Sequence, residues 1–478
     1  MLRRLARIRF LSHKKIVRQW STRRFWTNPE PLGTHEPFRP VLGKEPKVCS
    51  AEEAVSVVQS RHRIYVHGAA ATPSLLLEAL CAHAKKQNLK HVELVHIHTE
   101  GKAPQVCRFF KNQKMCVYIK DDCICVRFVD GDEMELRESH ISTGTDFVPW
   151  APVSIAPGFF LFFVLSRSCE NLGRKKKGGC VERIAAILGA KHVVGLVNKN
   201  VPRTHGDGHV HLSHFDSIVY HDSPLPEIKG GGDTDEATEK IGQIIAENLI
   251  PDRACLQMGI GGIPDSVLKC LKSHKDLGIH TEMCSDGILH LVNSGIVSNA
   301  FKYQHRGKTV SSFCMGSKKL YEYIHDNPSV LFFDCSYVND VGVISSNDRV
   351  HAINSCIEVD LTGQVCADSI GTRMFSGVGG QMDFMRGAAL SRGGKPIMAF
   401  TSTTGKGMSK IVPTLKQGSG VVTTRAHVQY VVTEYGYANL YGKSLRERAK
   451  LLIGLAHPDH RESLEKAAIE RFGKLDLD

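Results

Sequence analysis

From Ser50 onward, helix-period apolar runs alternate with short strand-like ones. Ser50-x-x-Glu53 reads as a capping box that opens a helix through Val58. A strand over Arg63–His67 leads to a small-residue loop, Gly68 to Thr72. Pro73 suits a first helical turn, where a missing N–H has no intrahelical partner to lose, and Leu75 to Ala84 continues that helix. His91 to Ile97 predicts the next strand.

The same order returns later in the chain. A helix around Glu239 to Leu249 precedes a strand, Ala254 to Met258, and a loop, Gly259 to Ile263. Pro264 opens a helix through Leu271, and Gly278 to Met283 predicts another strand. Gly68 and Pro73 share the spacing of Gly259 and Pro264. Leu76, Leu77 and Leu80 fall in step with Val267, Leu268 and Leu271. This internal repeat predicts two structurally related open α/β domains with mainly parallel sheets. Further short runs predict strands at Val330 to Asp334, Ile353 to Val359, Ile397 to Phe400, Val421 to Thr424 and Tyr430 to Thr433. Ser444 to Phe472 predicts terminal helices. The Gly-rich stretch after Ile228 predicts a linker at 229–236 between a first domain, 45–228, and a second, 237–478.

Charge changes the picture at one end only. Nine Arg and Lys lie within residues 1–28, which hold no acid, so they carry most of the +12 formal net charge. Leu2, Leu5, Ile8 and Leu11 recur at helical spacing among them. An amphipathic, Arg-rich, acid-free start predicts a mitochondrial presequence and a matrix location. The remaining body is too mildly basic to call for a nucleic-acid partner. The apolar run Phe159 to Leu165 is too short to cross a bilayer as a helix and predicts a buried strand, so no membrane partner is expected. The 15 cysteines are scattered without a CxxC pair, which predicts free thiols and no zinc site.

Five segments could carry chemistry. Met258-Gly-Ile-Gly-Gly-Ile-Pro264 and Ser376-Gly-Val-Gly-Gly-Gln-Met-Asp-Phe384 are Gly turns whose amides could face an anion or an oxyanion. A tight turn explains the first alone equally well, but two such loops in one domain are harder to dismiss than one. Gly278-Ile-His-Thr-Glu-Met-Cys-Ser-Asp-Gly287 sets Glu282 near a strand end, where a carboxylate could be nucleophile, base or plain surface charge. Pro202-Arg-Thr-His-Gly-Asp-Gly-His-Val-His-Leu-Ser-His214 has four His, with His209 and His211 alternating along an expected strand. A polar wall fits that pattern better than a metal site, and no metal is expected. Ser402-Thr-Thr-Gly-Lys-Gly-Met-Ser-Lys-Ile-Val-Pro413 lacks P-loop spacing, though Lys406 and Lys410 could meet phosphates.

Taken in order, GIGGIPD, GIHTEM-SDG, AIN-EVD, SGVGGQMDF, SKIVPTL, VVTTRAHVQYVVTEYG and NLYGKSLRERAKLLI-AHPDHR resemble the acetyl-CoA hydrolase/transferase family of CoA transferases over 240–472. The resemblance is partial over 48–100, and residues 102–179 depart from the family's pattern. It implies a CoA-transferase-like fold and a glutamyl-CoA thioester on Glu282. Its partners would be coenzyme A, as acyl-CoA, and a small carboxylate. It further implies that Gly259, Ile260, Gly261, Gly262 and Ile263, with Gly377, Gly379 and Gly380, line the CoA and oxyanion sites. Asn354, Ser376 and Lys406 would touch CoA, and Glu434 would shape the acyl pocket. Acetyl-CoA hydrolysis, or a family member impaired by its atypical 102–179 segment, is a variant of this reading. A dinucleotide-dependent oxidoreductase is the competing class: Glu282 lies near the distance for a ribose-binding acid, but the second Gly loop does not suit it. Homo-oligomerisation is left open.

Overall fold

The computed structural model describes residues 40–95, 190–228, 235–259 and 261–475, with Ile187 and four strands between 113 and 177. The expected presequence, the linker up to residue 234 and Ile260 lie outside the described residues, as does most of 102–179.

Two mainly parallel sheets carry the fold. The first has eight strands in the order Lys47–Val48, Ser217–Tyr220, His192–Val197, Leu161–Ser166, Arg63–Val66, Glu93–Val95, Cys125–Asp130 and Gln113–Val117. Its first six run parallel, and the last two close the edge antiparallel. The second sheet runs Gly278–Ile279, Cys255–Met258, Val350–Asn354, Lys395–Ala399, Tyr430–Thr433 and Gly436–Asn439. Only its last strand is antiparallel. Parallel pairing needs crossovers, and helices supply them.

The repeat is visible in both sheets. Arg63–Val66 leads through a loop and the helix Ser74–Lys86 to a parallel neighbour, Glu93–Val95. Cys255–Met258 leads through the Gly loop and the helix Gly262–Cys270 to its own parallel neighbour, Gly278–Ile279. The six in-step residues, Leu76, Leu77, Leu80, Val267, Leu268 and Leu271, are all at most 3% exposed. Each helix therefore lays the same stripe on its sheet. Pro264 sits inside the first turn rather than at its start, since the helix begins at Gly262; its missing N–H still has no intrahelical partner to lose. The first helix, Ala51–Val55, is shorter than its pattern predicts, although Ser50 caps it from the Glu53 amide as expected.

Three other expected strands are corrected. Ile353 to Val359 is two strands, Val350–Asn354 and Glu358–Asp360, lying in different sheets. Val421 to Thr424 makes only an isolated bridge from Thr423 to Val365, and Val421 faces solvent. His209 and His211 do not alternate along one strand: the strand is Val210–His211, and the His211 ring caps the following short turn. Upstream, His205–Gly206 joins Thr309–Ser311 and Val330–Phe332 in a small sheet that ties the two halves together. Gly206, at φ +102°, lies against Phe332, where an added Cβ would stand 2.1 Å from the Phe332 carbonyl oxygen, so only glycine allows this pairing.

Candidate active site

The parallel strands of the second sheet end together, and the chemistry-bearing segments follow those ends, where ligands bind in open α/β folds. Met258 is followed by Gly259, and Asn354 closes Val350–Asn354. Glu434 follows Tyr430–Thr433, and Ser402 lies just past Lys395–Ala399. Neighbouring ends are stitched by side chains. The Thr281 hydroxyl donates to the Met258 carbonyl at 2.9 Å and accepts from the Met258 amide at 3.2 Å. The Asn354 amide donates to Gln257 Oε1 at 2.9 Å.

Glu282 is not at the end of one continuous strand. The run Gly278 to Met283 breaks in two: Gly278–Ile279 belongs to the large sheet, whereas Met283–Cys284 pairs with Phe313–Cys314. Glu282 occupies the bend between them. Its carbonyl accepts from the Ser312 and Phe313 amides at 2.9 and 3.1 Å and from the Ser311 hydroxyl at 2.9 Å. Three donors on one carbonyl fix the backbone and leave the side chain to point elsewhere.

That side chain meets two partners from distant segments. Asn339, just past the short helix Cys335–Val338, donates from Nδ2 to Glu282 Oε2 at 3.0 Å. Gly380 caps the helix Gln381–Leu390, and a Cβ placed on it would stand 2.1 Å from Oε2 and 2.7 Å from Asn339 Nδ2. Its φ of −67° needs no glycine, so the close approach of the carboxylate is what requires one. Glu282 Oε1 has no hydrogen bond among the described residues. Burial pushes the Glu282 carboxyl up to about 7; the Asn339 hydrogen bond works against this, and the charge of Asp383, in the first turn of the same helix, adds to it. Asn339 itself is 8% exposed, and its Oδ1 is buried without a partner among the described residues.

The other expected residues follow the strand ends of the same sheet or lie on the loops beyond them. Gly261 (φ +116°) and Gly262 are exposed, and with half-buried Ile263 they open the helix Gly262–Cys270. Ser376 turns its hydroxyl to the Gly377 carbonyl, and Gly379 takes φ +74°. The Asp368 carbonyl accepts from the Phe375 and Ser376 amides, which anchors this second Gly loop. Glu434 is clamped by Ser402, whose amide and hydroxyl donate to its two oxygens at 2.9 and 2.5 Å. Lys406 lies on an exposed turn whose Gly407 carbonyl contacts the His460 ring at 2.8 Å. Among the described residues no hydrogen bond or ion pair joins Lys406 or Glu434 to Glu282.

A small, largely apolar recess lies between the halves. One wall is Ala69, Ala70 and Ala71; Cys314 and Phe332 face it from the other half. Ala69 also packs with Met283, the residue after Glu282. No group of three or more His, Cys, Asp or Glu able to hold a metal occurs among the described residues. Asn339 carries no motif, and sequence reasoning missed it; Ser402 opens one of the five segments singled out, but its bonds to Glu434 were not foreseen. Asn339 lies 57 residues from Glu282, and its only local signal is its place between two capping aspartates, Asp334 and Asp340.

Comparison with known proteins matches residues 316–468 to the acetyl-CoA hydrolase/transferase C-terminal domain. The chain is 44% identical over 453 residues to a succinyl-CoA:acetate/propanoyl-CoA:succinate CoA transferase of Fasciola hepatica, covering 92% of this chain and 91% of that one. It is 42% identical to a 4-hydroxybutyrate coenzyme A transferase of Clostridium kluyveri, covering 89% of this chain and 98% of the relative. The crystal structure of RipA from Yersinia pestis superposes with a TM-score of 0.80 at 32% identity, covering 90% of this chain and 98% of RipA.

Proposed function

The chain belongs to the acetyl-CoA hydrolase/transferase family and is a CoA transferase, and from that premise we propose that it moves CoA between an acyl-CoA and a small carboxylate through a thioester on Glu282. The observation that carries this reading is the grip of Asn339 on one oxygen of a half-buried carboxylate whose other oxygen is left for attack.

In the proposed sequence Glu282 Oε1 attacks the thioester carbonyl, and the C–S bond breaks to give a mixed anhydride and the CoA thiolate. The thiolate adds to the glutamyl carbonyl, and the first carboxylate leaves, so the thioester passes to Glu282. A second carboxylate attacks that thioester and releases the thiolate, which then takes the new acyl group and frees Glu282. Each step exchanges one activated acyl bond for another, so no thioester is spent on water. When the thiolate adds to the glutamyl carbonyl, charge gathers on Oε2, the atom that Asn339 Nδ2 already contacts. Burial raises the carboxyl and leaves its charged form poorly solvated, which favours attack.

CoA phosphates fit the first amides of the Gly262–Cys270 helix, with Lys406 as the cation. Asn354, Ser376 and the Gly377–Gly380 loop would lie along the pantetheine and the thioester, and Glu434 beside the acyl group. The relatives that span nine-tenths of the chain are named transferases, which favours transfer over hydrolysis. Residues 1–28, with their Arg excess and lack of acid, would direct the protein to the mitochondrial matrix.

The test is chemical. Acetyl-CoA is added, the mixture is reduced with borohydride, and the peptides are mapped by mass spectrometry. Reduction at Glu282, lost in Glu282→Ala together with CoA exchange, is the expected result; an unmodified Glu282 in folded protein refutes the mechanism. Fusion of residues 1–28 to a fluorescent reporter should deliver it to mitochondria, and a cytosolic reporter would refute the targeting.

A further inference from the structure

His280 is 1% exposed and two residues before Glu282. Its Nε2 lies 2.8 Å from the Val338 carbonyl, which can only accept, so the proton is on Nε2. Its Nδ1 is buried without a partner among the described residues. Burial, with Lys302 and His305 nearby, pushes the imidazole down to about 3 and keeps it neutral. Lys302 itself is spent on the Ile279 and Lys308 carbonyls at 2.7 Å each. A leucine would fill such a place without stranding a buried lone pair, so the ring's polarity calls for another reason.

Two neighbours of the ring, Val338 and Phe384, each connect to a member of the Glu282 cluster. Val338 precedes Asn339, and its carbonyl is one of those left over at the end of the Cys335–Val338 helix. Phe384, whose ring centroid stands 6.3 Å from that of His280, donates its amide to the Gly380 carbonyl at 3.1 Å. Glu282 follows on the same segment. One buried ring thus touches all three segments that converge on the carboxylate.

We propose that His280 is the positioning residue of this site: by donating Nε2–H to the Val338 carbonyl it sets the Asn339 amide on Glu282. The inference rests on the reading of Glu282 as nucleophile. It gives the segment a double hold, because the Glu282 chain grips the Asn339 turn through His280 and is gripped back through the carboxylate. Loosening His280 frees Asn339, and among the described residues the ring makes no hydrogen bond to the Gly259–Ile263 or Gly377–Gly380 loops. Glu282 then loses the contact that draws its carboxyl down, while Asp383 still faces it.

The test uses full-length protein with His280→Leu, His280→Gln and Asn339→Ala. In His280→Leu, kcat should fall by about tenfold or more, the size expected for losing a hydrogen bond to a charged group. KM for the acyl-CoA should hold, and the acid limb of kcat/KM should move to higher pH. His280→Gln, whose side-chain amide can reach the same carbonyl, should recover most of the loss. Adding His280→Leu to Asn339→Ala should cost little more. An unmoved acid limb, a Gln variant as poor as Leu, or fully additive losses would overturn the proposal. Should His280→Leu fail to fold, His280→Asn, too short to reach Val338, takes its place with the same expectations. Carbodiimide labelling of Glu282 against pH reads its carboxyl without turnover. A shifted labelling curve in a protein that forms no borohydride-trapped adduct would therefore sink the nucleophile reading and leave the positioning intact.

Discussion

Replacing Glu282 by glutamine should make the protein more stable above neutral pH while abolishing transfer. The carboxyl is raised from 4.5 to about 7. Folding therefore takes up a proton between those values, and stability falls as pH rises through that window. The cost of holding the charged form is complete above about pH 7 and absent below about 4.5. At roughly 1.4 kcal/mol per pH unit, the charged carboxylate costs about 3 kcal/mol at pH 8 and under about 1 kcal/mol at pH 5. Solvent reaching the half-buried group makes these upper figures. Glutamine keeps the acceptor for Asn339 Nδ2 and removes the repulsion from Asp383. With an unfolding entropy of about 2 cal/mol/K per residue over a chain this long, 3 kcal/mol corresponds to roughly 3 °C in Tm. Thermal melts of both proteins at pH 5 and pH 8 are the assay. Glu282→Gln should melt higher at pH 8, with the gap shrinking at pH 5. An equal gap at both pH values, or a less stable variant at pH 8, would show that Glu282 is not held against its charge.

Other consequences share the same geometry. For wild type, kcat/KM should rise with pH through about 7 as Glu282 ionises; a rate flat from pH 5.5 to 8.5 would separate catalysis from this group. Gly380→Ala puts a methyl 2.1 Å from Glu282 Oε2 and should lower kcat by about 100-fold or more at near-wild-type Tm, since small displacements of a reacting group cost that much. Asn339→Ala should raise the acid limb and cost about 1.5–3 kcal/mol in kcat/KM, measured by CoA exchange.

The fold was legible where burial follows local pattern. The stripe Leu76, Leu77, Leu80 and its counterpart Val267, Leu268, Leu271 specify two helices on two sheets, and these are the buried faces observed. Strand continuity was less legible, because pattern reports burial and not partner. Gly278 to Met283 reads as one strand since most of it is buried, yet Ser311, Ser312 and Phe313 capture the Glu282 carbonyl and redirect the chain into another pairing. Val421 to Thr424 misled in the opposite way: it is β-branched, but only Thr423 finds a partner strand.

The same distinction governs the site. Glu282 and Gly380 stand out in the sequence through a motif resemblance, but the reason for Gly380 lies in a carboxylate oxygen nearly a hundred positions earlier in the chain. Asn339 carries no periodicity or motif, since its role comes from a turn that two aspartate caps shape and one histidine holds. Three donors hold the backbone carbonyl at Glu282, while burial holds its carboxyl up at about 7. A reacting group must move little and gain much when its charge is spread, and a fixed backbone beneath a poorly solvated carboxylate meets both demands. The break in the strand thus sets Glu282 apart from an ordinary sheet-end glutamate and suits the nucleophilic role proposed for it.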